Sequence, residues 1–460
     1  MKKRIIGIFL FLAVLLIALF AEPFGGLDEV KFKALATLLL AIILWITEPI
    51  PVGASAILII AIPSLLGIAS IKSMLAAFGN PTLFFVIATF ALSAAIAKVP
   101  LAQRVLLGLL KMMGSSVNKL ILALMLATAL ISSVMSNIPA TLMFMSSSMS
   151  FLALYDTEEE KRRTGRAIMI SLPIAGMIGG CMTPAGSSNN ILALSLLEEH
   201  AGITVSFLDW MIICVPVALV MLPVAWYFIV KVFKPAPISE EKIDGFVAQL
   251  STLGKPSKKE ALVIGVLAVM IVLWIASSWI PALNTTLVAI LGMVFMFLPG
   301  VQLFTWKEFE KEVSWSTILM TGCVLCIGQL INTSGVAELL ANICFKIEGG
   351  ASLILLIFKL AAFMYLMQII LPNGPAAISA CSLPVIVAAQ AVGMNAALFI
   401  VPLCVFCSWA MILPLNPVPM LTYSTGFYKM TDIGKAGIPT LIILAIFMAL
   451  WIPFIGGLVL

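Results

Sequence analysis

The sequence predicts an all-α polytopic membrane protein with about eleven transmembrane helices and two re-entrant hairpins. Of the 460 residues, 62% are hydrophobic and 10% are charged, and the mean hydropathy of +1.18 lies far above that of water-soluble domains. Apolar runs long enough to cross a bilayer recur along the chain. Four polar, proline-containing stretches interrupt them, and the backbone groups freed there must be buried in protein or line a watery cavity.

Eleven apolar runs predict the spans. The first follows a basic head, as in a signal peptide, but it lacks a clear small-residue cleavage site, so we expect a retained helix. The predicted spans begin near residues 4, 33, 52, 82, 165, 207, 260, 282, 316, 394 and 436.

The basic residues predict the orientation. With a cytoplasmic amino terminus, 21 of the 26 Lys and Arg residues fall in cytoplasmic connections and 5 do not, which satisfies the positive-inside rule. We therefore expect a multi-pass protein of the cell (inner) membrane, embedded in the lipid bilayer with its amino terminus in the cytoplasm. The net charge of +5 then reflects topology, and no nucleic-acid partner is expected.

A polar segment rich in Lys, Pro and Gly, residues 234–260, predicts a cytoplasmic linker between two halves of the chain. Three landmarks recur in the same order across 133 residues of each half. They are Pro51, Asn137 and Pro184 in the first half, and Pro281, Asn373 and Pro414 in the second. An odd number of spans in each half would invert one half relative to the other, and inverted repeats are typical of secondary transporters.

The four polar breaks are predicted to form the functional centre. They are "SSVMSNIPATL" (132–142), "GGCMTPAGSSNNIL" (179–192), "LPNGPAAIS" (371–379) and "ILPLNPVPMLTYSTG" (412–426). We expect Asn137 and Asn373 at the tips of the two hairpins, and the second and fourth breaks in helices unwound halfway across. Exposed helix amino termini suit an anion, while unwound carbonyls and hydroxyls suit sodium. The alternative is that these residues only kink helices and hydrogen-bond to their neighbours.

Composition argues against other classes of membrane protein. An enzyme would need a nucleophile, a metal cluster or an acid–base pair within the bilayer, yet the chain has one His, and its acidic residues fall in loops or at helix ends. The CxxC pairs Cys323/Cys326 and Cys404/Cys407 have no acidic or histidine residue nearby, which predicts buried apolar side chains. A channel or a structural scaffold would need neither coupling-ion motifs nor an inverted repeat.

Four motifs follow one another along nearly the whole chain: "ITEPIPVGA", "MSNIPAT", "GGCMTPAGSSNN" and "MILPLNPVPMLTYSTGFYKMTDIGKAGIP". Together they resemble the divalent anion/sodium symporter family, which transports dicarboxylates, citrate or sulfate. The resemblance implies a homodimer, with each protomer split into a scaffold and a transport domain that moves like an elevator. The implied division is scaffold 1–113, transport domain 114–233, linker 234–258, scaffold 259–349 and transport domain 350–460.

The resemblance also implies site residues, because the family's Ser-Asn-Thr motifs at the two tips contact substrate carboxylates and help to form two sodium sites. At the first tip the motif falls on Ser136, Asn137 and Ile138, so two of its three positions are kept. The implied first sodium site comprises Ser132, Ser136, Asn137, Gly180 and Gly186. The implied substrate contacts are Ser136, Asn137, Thr141, Ser188, Asn189, Asn373, Gly374, Pro414 and Asn416.

The second tip departs from the family pattern. Pro372, Asn373 and Gly374 replace Ser-Asn-Thr, and Gln368 stands where the family often has a sodium-binding threonine. The implied second sodium site is Gln368, Asn373 and Ile412. The expected function is secondary transport of a small divalent anion, either a di- or tricarboxylate or sulfate, with Na⁺ as the coupling ion. The alternative is a sodium-independent exchanger or proton-coupled carrier in which Lys359 or Gln368 displaces a sodium ion.

Overall fold

The computed structural model describes residues 2–23, 26–114, 116–280, 282–344 and 352–460. Every regular element in these ranges is a helix, with no strand among them, which confirms the predicted all-α class. Eight of the described helices are long and apolar enough to cross a membrane, and a bent pair would make nine. The landmark Pro281 lies outside the described residues.

Several helices in the first half begin at side-chain caps. Asp28, Ser70, Asn80 and Thr157 each accept a hydrogen bond from a backbone N–H in the first turn, which satisfies a donor that has no partner within the helix. The helices are α1 (Lys2–Phe20), α2 (Glu29–Thr47), α3 (Val52–Leu65), α4 (Ile71–Ala76), α5 (Pro81–Ala97), α6 (Leu101–Met113), α7 (Val117–Ser132), α8 (Asn137–Leu152), α9 (Glu158–Gly180), α10 (Ser188–Ala201) and α11 (Phe207–Phe233).

The second half uses the same kind of signal. Ser257 and Thr305 open their helices with capping boxes, in which the cap and the third helical residue satisfy each other's backbone N–H. The helices are α12 (Glu240–Ser251), α13 (Lys258–Ala276), α14 (Thr285–Phe297), α15 (Trp306–Glu312), α16 (Trp315–Thr333), α17 (Val336–Cys344), α18 (Leu353–Ile370), α19 (Gly374–Ala391), α20 (Ala397–Ser408), α21 (Pro417–Tyr423) and α22 (Asp432–Val459).

Each of the eleven predicted spans begins close to an observed helix start. The largest offset is at residue 165, seven residues after α9 begins at Glu158. Hydropathy misses this start because the first turns of α9 are charged, from Glu158 to Arg166.

The four polar breaks interrupt helices as predicted. Residues 133–136 separate α7 from α8, and residues 371–373 separate α18 from α19. Between α9 and α10 the chain unwinds except for a short 3-10 turn, Pro184–Gly186. The break between α20 and α21 begins at Trp409, three residues before the predicted position 412. The structure therefore places the start of this break earlier than the sequence pattern did.

Two sets of helices pack around these breaks. In one set the halves interlock, because α10 contacts α19 and α20, α21 contacts α8 and α9, and α11 contacts α22. In the other set α3 packs against α16, and α5 packs against α14 and α15. The breaks of both halves are thereby brought into one region.

The end of the linker is fixed to α6 by a partly buried ion pair. Arg104 Nε donates to Glu260 Oε2 at 2.9 Å, and its other nitrogens donate to Glu260 Oε1 and to the carbonyls of Leu253 and Gly254. The Glu260 side chain is 4% exposed. Because this carboxylate is so well buried, it depends on Arg104 for its charge partner.

We expect Arg104→Ala to lower the apparent free energy of unfolding in detergent by about 2 kcal/mol, because it leaves a buried carboxylate without its charge-assisted hydrogen bonds. Thermal and SDS unfolding of the purified protein measure this loss. The matched control is Lys161→Ala, whose partner Glu158 is 88% exposed and whose loss should cost less than about 0.5 kcal/mol. Equal losses for the two variants would contradict the anchoring role of Arg104.

Candidate functional site

A cavity of about 540 Å³ brings the four breaks together. One wall consists of the two hairpin tips and the two unwound loops, and it contains seven of the nine predicted substrate residues. These are Ser136, Asn137, Ser188, Asn189, Asn373, Gly374 and Asn416. Another part of the lining comes from α5 and α16 and carries the hydroxyls of Thr89, Ser93, Ser316 and Thr317.

Helix amino termini surround this cavity. The first residues of α8, α10 and α19 and of the short α21 line it, so N–H groups without helical partners and the positive ends of the helix dipoles meet there. None of the described lining residues is Lys, Arg or His, and Glu312 is the charged one among them. The cavity therefore offers an anion hydrogen bonds and dipoles in place of fixed cations.

A group of oxygen atoms lies directly beneath the first tip. Ser132 Oγ is 2.6 Å from Asn137 Oδ1 and 2.9 Å from the Gly176 carbonyl. The Asn137 amide also lies 3.2 Å from the carbonyls of Gly176 and Gly186. We call these four atoms, Ser132 Oγ, Asn137 Oδ1, Gly176 O and Gly186 O, the oxygen cluster. The Ser132 hydroxyl supplies the one proton of the cluster, so with Asn137 Oδ1 in this position the acceptors suit a hard cation, which prefers oxygen ligands. With the amide turned by half a turn, Asn137 Nδ2 instead donates to the other three oxygens.

Glycine and asparagine shape the loop that completes the oxygen cluster. A Cβ on Gly180 would collide with the Asn137 amide, so glycine is needed there for the tip to approach. Asn190 Nδ2 donates to the carbonyls of Gly180 and Thr183, both at 2.8 Å. Gly180 thus leaves space for the Asn137 side chain, and its carbonyl accepts a hydrogen bond from Asn190. The Gly186 carbonyl, in contrast, is part of the oxygen cluster.

The second tip is held by residues from both halves. Asn416 Nδ2 donates to the Pro372 carbonyl at 3.3 Å. Asn189, 9% exposed, donates through Nδ2 to Ser408 Oγ at 3.2 Å and packs so closely on Gly374 that a Cβ there would lie 3.0 Å from Asn189 Cγ. The start of α10 and the second tip can therefore approach this closely because residue 374 is glycine and has no Cβ.

The predicted second sodium site differs from the first. Gln368 Nε2 donates to the Phe406 carbonyl, and Oε1 is buried without a hydrogen-bond partner among the described residues. Gln368 and Ile412 line a cavity of about 10 Å³, and Asn373 is absent from its described lining. The Gln368 amide nitrogen is therefore engaged by a backbone carbonyl, while its oxygen is the unpaired polar atom at this position among the described residues.

Comparison with known proteins identifies the family. The model of the sodium:sulfate symporter transmembrane region matches residues 2–458. The chain belongs to this symporter family. A sodium-dependent dicarboxylate transporter of Staphylococcus saprophyticus is 25% identical over 94% of this chain and 87% of its own length. The corresponding transporter of Staphylococcus aureus strain USA300 is 24% identical over 90% and 84%.

Solved structures agree with the fold of this symporter family member. The crystal structure of the Alcanivorax borkumensis YdaH transporter, described as having an unusual topology, superposes with a TM-score of 0.58 at 12% identity, covering 83% of this chain and 87% of that one. At this identity the likeness concerns the fold. The family and its named members are transporters, which agrees with the sequence-based exclusion of an enzyme.

Two predicted substrate contacts, Thr141 and Pro414, lie outside the cavity lining, as does Lys359 of the alternative hypothesis. The Thr141 hydroxyl donates to the Asn137 carbonyl at 2.7 Å, one helical turn back, and does not reach the lining. Pro414 is buried in the loop before α21, and Lys359 is exposed on α18. Sequence reasoning missed the Gly176 carbonyl and the Ser93 and Ser408 hydroxyls. The two serines were detectable as polar residues in apolar helices, whereas a backbone carbonyl leaves no sequence signal.

We expect Gly374→Ala to reduce transport at least tenfold, because the added methyl group collides with Asn189. In the Asn189→Ala background the side chain that collides with the new methyl group is gone. Adding Gly374→Ala to Asn189→Ala should therefore change transport little relative to Asn189→Ala alone. Uptake and substrate binding by the purified variants measure both steps.

The control is Gly108→Ala on α6, where a Cβ meets nothing within 4 Å and activity should be unchanged. If Gly374→Ala transports normally, or if its loss is equally large with and without Asn189, the fit between α10 and the second tip has no functional role.

Proposed function

We propose that this protein carries a small divalent anion, a di- or tricarboxylate or sulfate, across the cell membrane together with Na⁺. The observation that carries the proposal is the position of Asn137, which lines the cavity and also belongs to the oxygen cluster. Cation and anion would therefore bind on opposite sides of one side chain.

Charge explains why the two sites should be neighbours. The described lining of the cavity includes no Lys or Arg. A dianion that enters it gives up hydrogen bonds to water, and the N–H groups of the helix termini replace only part of them. A sodium ion bound by Ser132, Asn137, Gly176 and Gly186 supplies positive charge nearby, where the low dielectric strengthens the attraction. Sodium binding thus promotes anion binding, which is the thermodynamic basis of symport.

The relatives support both the ion and the class of substrate. The family model is named for sodium and sulfate, and the staphylococcal relatives are named as sodium-dependent dicarboxylate transporters. Sulfate and dicarboxylates share two negative charges on oxygen atoms, which helix amino termini and Asn and Ser side chains recognise.

The arrangement of helices supports an elevator mechanism. The cavity is lined both by the tips and loops and by α5 and α16, and the tips with the helices packed on them would move as a transport domain past a scaffold. The two halves would form an inverted repeat, with the amino terminus in the cytoplasm. A cysteine at Ile138 should then be labelled from either side of the membrane in different states, and labelling from one side alone would contradict this motion.

The scaffold would also form a homodimer interface. Light scattering of the purified protein should then give twice the protomer mass of 49.2 kDa, after correction for detergent. A mass of one protomer would contradict the dimer.

The runner-up is a sodium-independent exchanger or proton-coupled carrier of the same fold. The second tip favours it, because Gln368 and Ile412 line a cavity of only about 10 Å³ whose described lining lacks Asn373, and the Gln368 amide nitrogen already donates to the Phe406 carbonyl. The position of Lys359 does not favour it, because that side chain is exposed on α18.

We expect uptake of labelled succinate into proteoliposomes to require an inward sodium gradient and to fall at least tenfold when potassium replaces sodium. Excess unlabelled succinate should compete, and sulfate and citrate tested as competitors rank the substrates. A Hill coefficient for sodium near 1 would indicate that the oxygen cluster is the one sodium site, and a value near 2 would indicate that the Gln368 site also binds sodium.

Ser132→Ala, which removes one ligand of the oxygen cluster, should raise the sodium concentration for half-maximal uptake at least tenfold. Its matched control is Ser146→Ala on α8, whose hydroxyl donates to the Met143 carbonyl of its own helix. Uptake that is equally fast in potassium would overturn sodium coupling and favour the runner-up.

A further inference from the structure

The charged residue that borders the proposed substrate cavity carries the same sign as the proposed substrate. Among the described residues that line the cavity, Glu312 is the charged one, and none is Lys, Arg or His. A carboxylate repels an anion over distances well beyond direct contact. A negative charge in a cavity that otherwise suits an anion therefore calls for a role of its own.

Glu312 differs from the other two acidic residues of α15, which have partners outside the cavity. Glu308 pairs with Lys98, and Glu310 accepts a hydrogen bond from Trp306 Nε1 at 2.7 Å. The Glu312 side chain is exposed and has neither an ion pair nor a side-chain hydrogen bond within the part of the chain that the structure describes. Its charge therefore acts on an anion that enters the cavity.

The fold places this charge on a different body from the hairpin tips. Glu312 is the last residue of α15, which packs against α5 in the proposed scaffold. Asn137 and Asn373 lie at the starts of α8 and α19, in the proposed transport domain. If the anion travels with the tips, Glu312 stays behind, so the repulsion acts in the state described by the structure and fades when the tips move away.

The predicted orientation places Glu312 on the cytoplasmic side. Helix α15 carries Lys307 and Lys311, which belong to the basic residues of the cytoplasmic connections. Neither lysine lines the cavity. The carboxylate therefore borders the cavity at the side from which an imported anion would leave.

The size of the cavity brings every position in it within range of this charge. A sphere of 540 Å³ is about 10 Å across, which is close to the Debye length at 0.1 M salt. The repulsion also grows in proportion to the charge of the anion. A trianion is therefore disfavoured more strongly than a dianion.

We propose that Glu312 promotes release of the anion into the cytoplasm. In the state described by the structure its charge weakens anion binding at the tips, and movement of the transport domain away from α15 restores the affinity. The same charge makes the cytoplasmic face select against anions of higher charge. This inference rests on the proposed function and assigns a release residue to it.

Glu312→Gln tests the inference, because it removes the charge and keeps the size of the side chain. Uptake by inside-out membrane vesicles measures KM at the cytoplasmic face, and uptake by right-side-out vesicles measures KM at the outer face. In about 20 mM sodium, the cytoplasmic KM should fall about fivefold for succinate and about tenfold for fully ionised citrate, in line with two and three charges. The outer KM should change less than about twofold, because the tips are then distant from α15.

Salt and matched variants control for other causes. Adding about 300 mM choline chloride should reduce the cytoplasmic effect below about twofold, because salt screens an exposed charge. Glu312→Asp keeps the charge and should match the wild type. Glu310→Gln changes the same helix outside the cavity lining and should also match the wild type.

The outcomes separate this inference from the proposed function. If the wild type shows no sodium-dependent uptake of a dianion at either face, the proposed function fails and the inference fails with it. If the wild type transports but Glu312→Gln leaves the cytoplasmic KM unchanged, or changes both faces equally, the release role is wrong while symport stands. A higher sodium concentration for half-maximal uptake in Glu312→Gln would show that Glu312 attracts the cation, and would also overturn the release role.

Discussion

The need to satisfy freed backbone groups in an apolar environment governs this molecule. Each break in a membrane helix releases N–H and C=O groups that lipid cannot accept. Here the four breaks are gathered into one region, where the N–H groups at the starts of α8, α10 and α19 line a cavity and carbonyls from α9 and the loop after it gather beneath the first tip. Donors and acceptors are thus separated in space, and we propose that each set binds an ion of opposite charge.

Close packing at two glycines brings the hairpin tips against the loops and helix starts of the site. Gly180 lies against the Asn137 amide, and Gly374 lies against Asn189, so each tip fits an unwound loop at a glycine. Asn190 and Asn416 brace these contacts by donating to loop and tip carbonyls. Asparagines therefore occur both among the proposed binding residues and among the residues that position the tips.

Local sequence signals predict most of the fold. Hydropathy locates the spans because burial in lipid needs unbroken apolar runs, and it shifts the start of α9 because charged residues open that helix. The polar breaks locate the tips: Asn137 is the first residue of α8, and Asn373 caps the start of α19. What fails is the assignment of single side chains. Thr141 looks like a site hydroxyl, yet serine and threonine in helices often donate to the preceding turn, as Thr141 does.

Contacts between distant segments could not be predicted from sequence alone. The Gly176 carbonyl joins the oxygen cluster because α9 packs against α7 and α8, and no residue type marks a ligating carbonyl. The family resemblance predicted two residues of the oxygen cluster, Ser132 and Asn137. It could not show that Gln368, in the implied second sodium site, would donate to the Phe406 carbonyl.

A structure determined with sodium and succinate, beside one in choline chloride, tests the central claim most directly. We expect density for the dianion between the amino termini of α8, α10 and α19, and a cation at about 2.4 Å from Ser132 Oγ, Asn137 Oδ1, Gly176 O and Gly186 O. Both features should be absent in choline. Succinate bound elsewhere, or bound in the cavity with no cation in the oxygen cluster, would contradict the account.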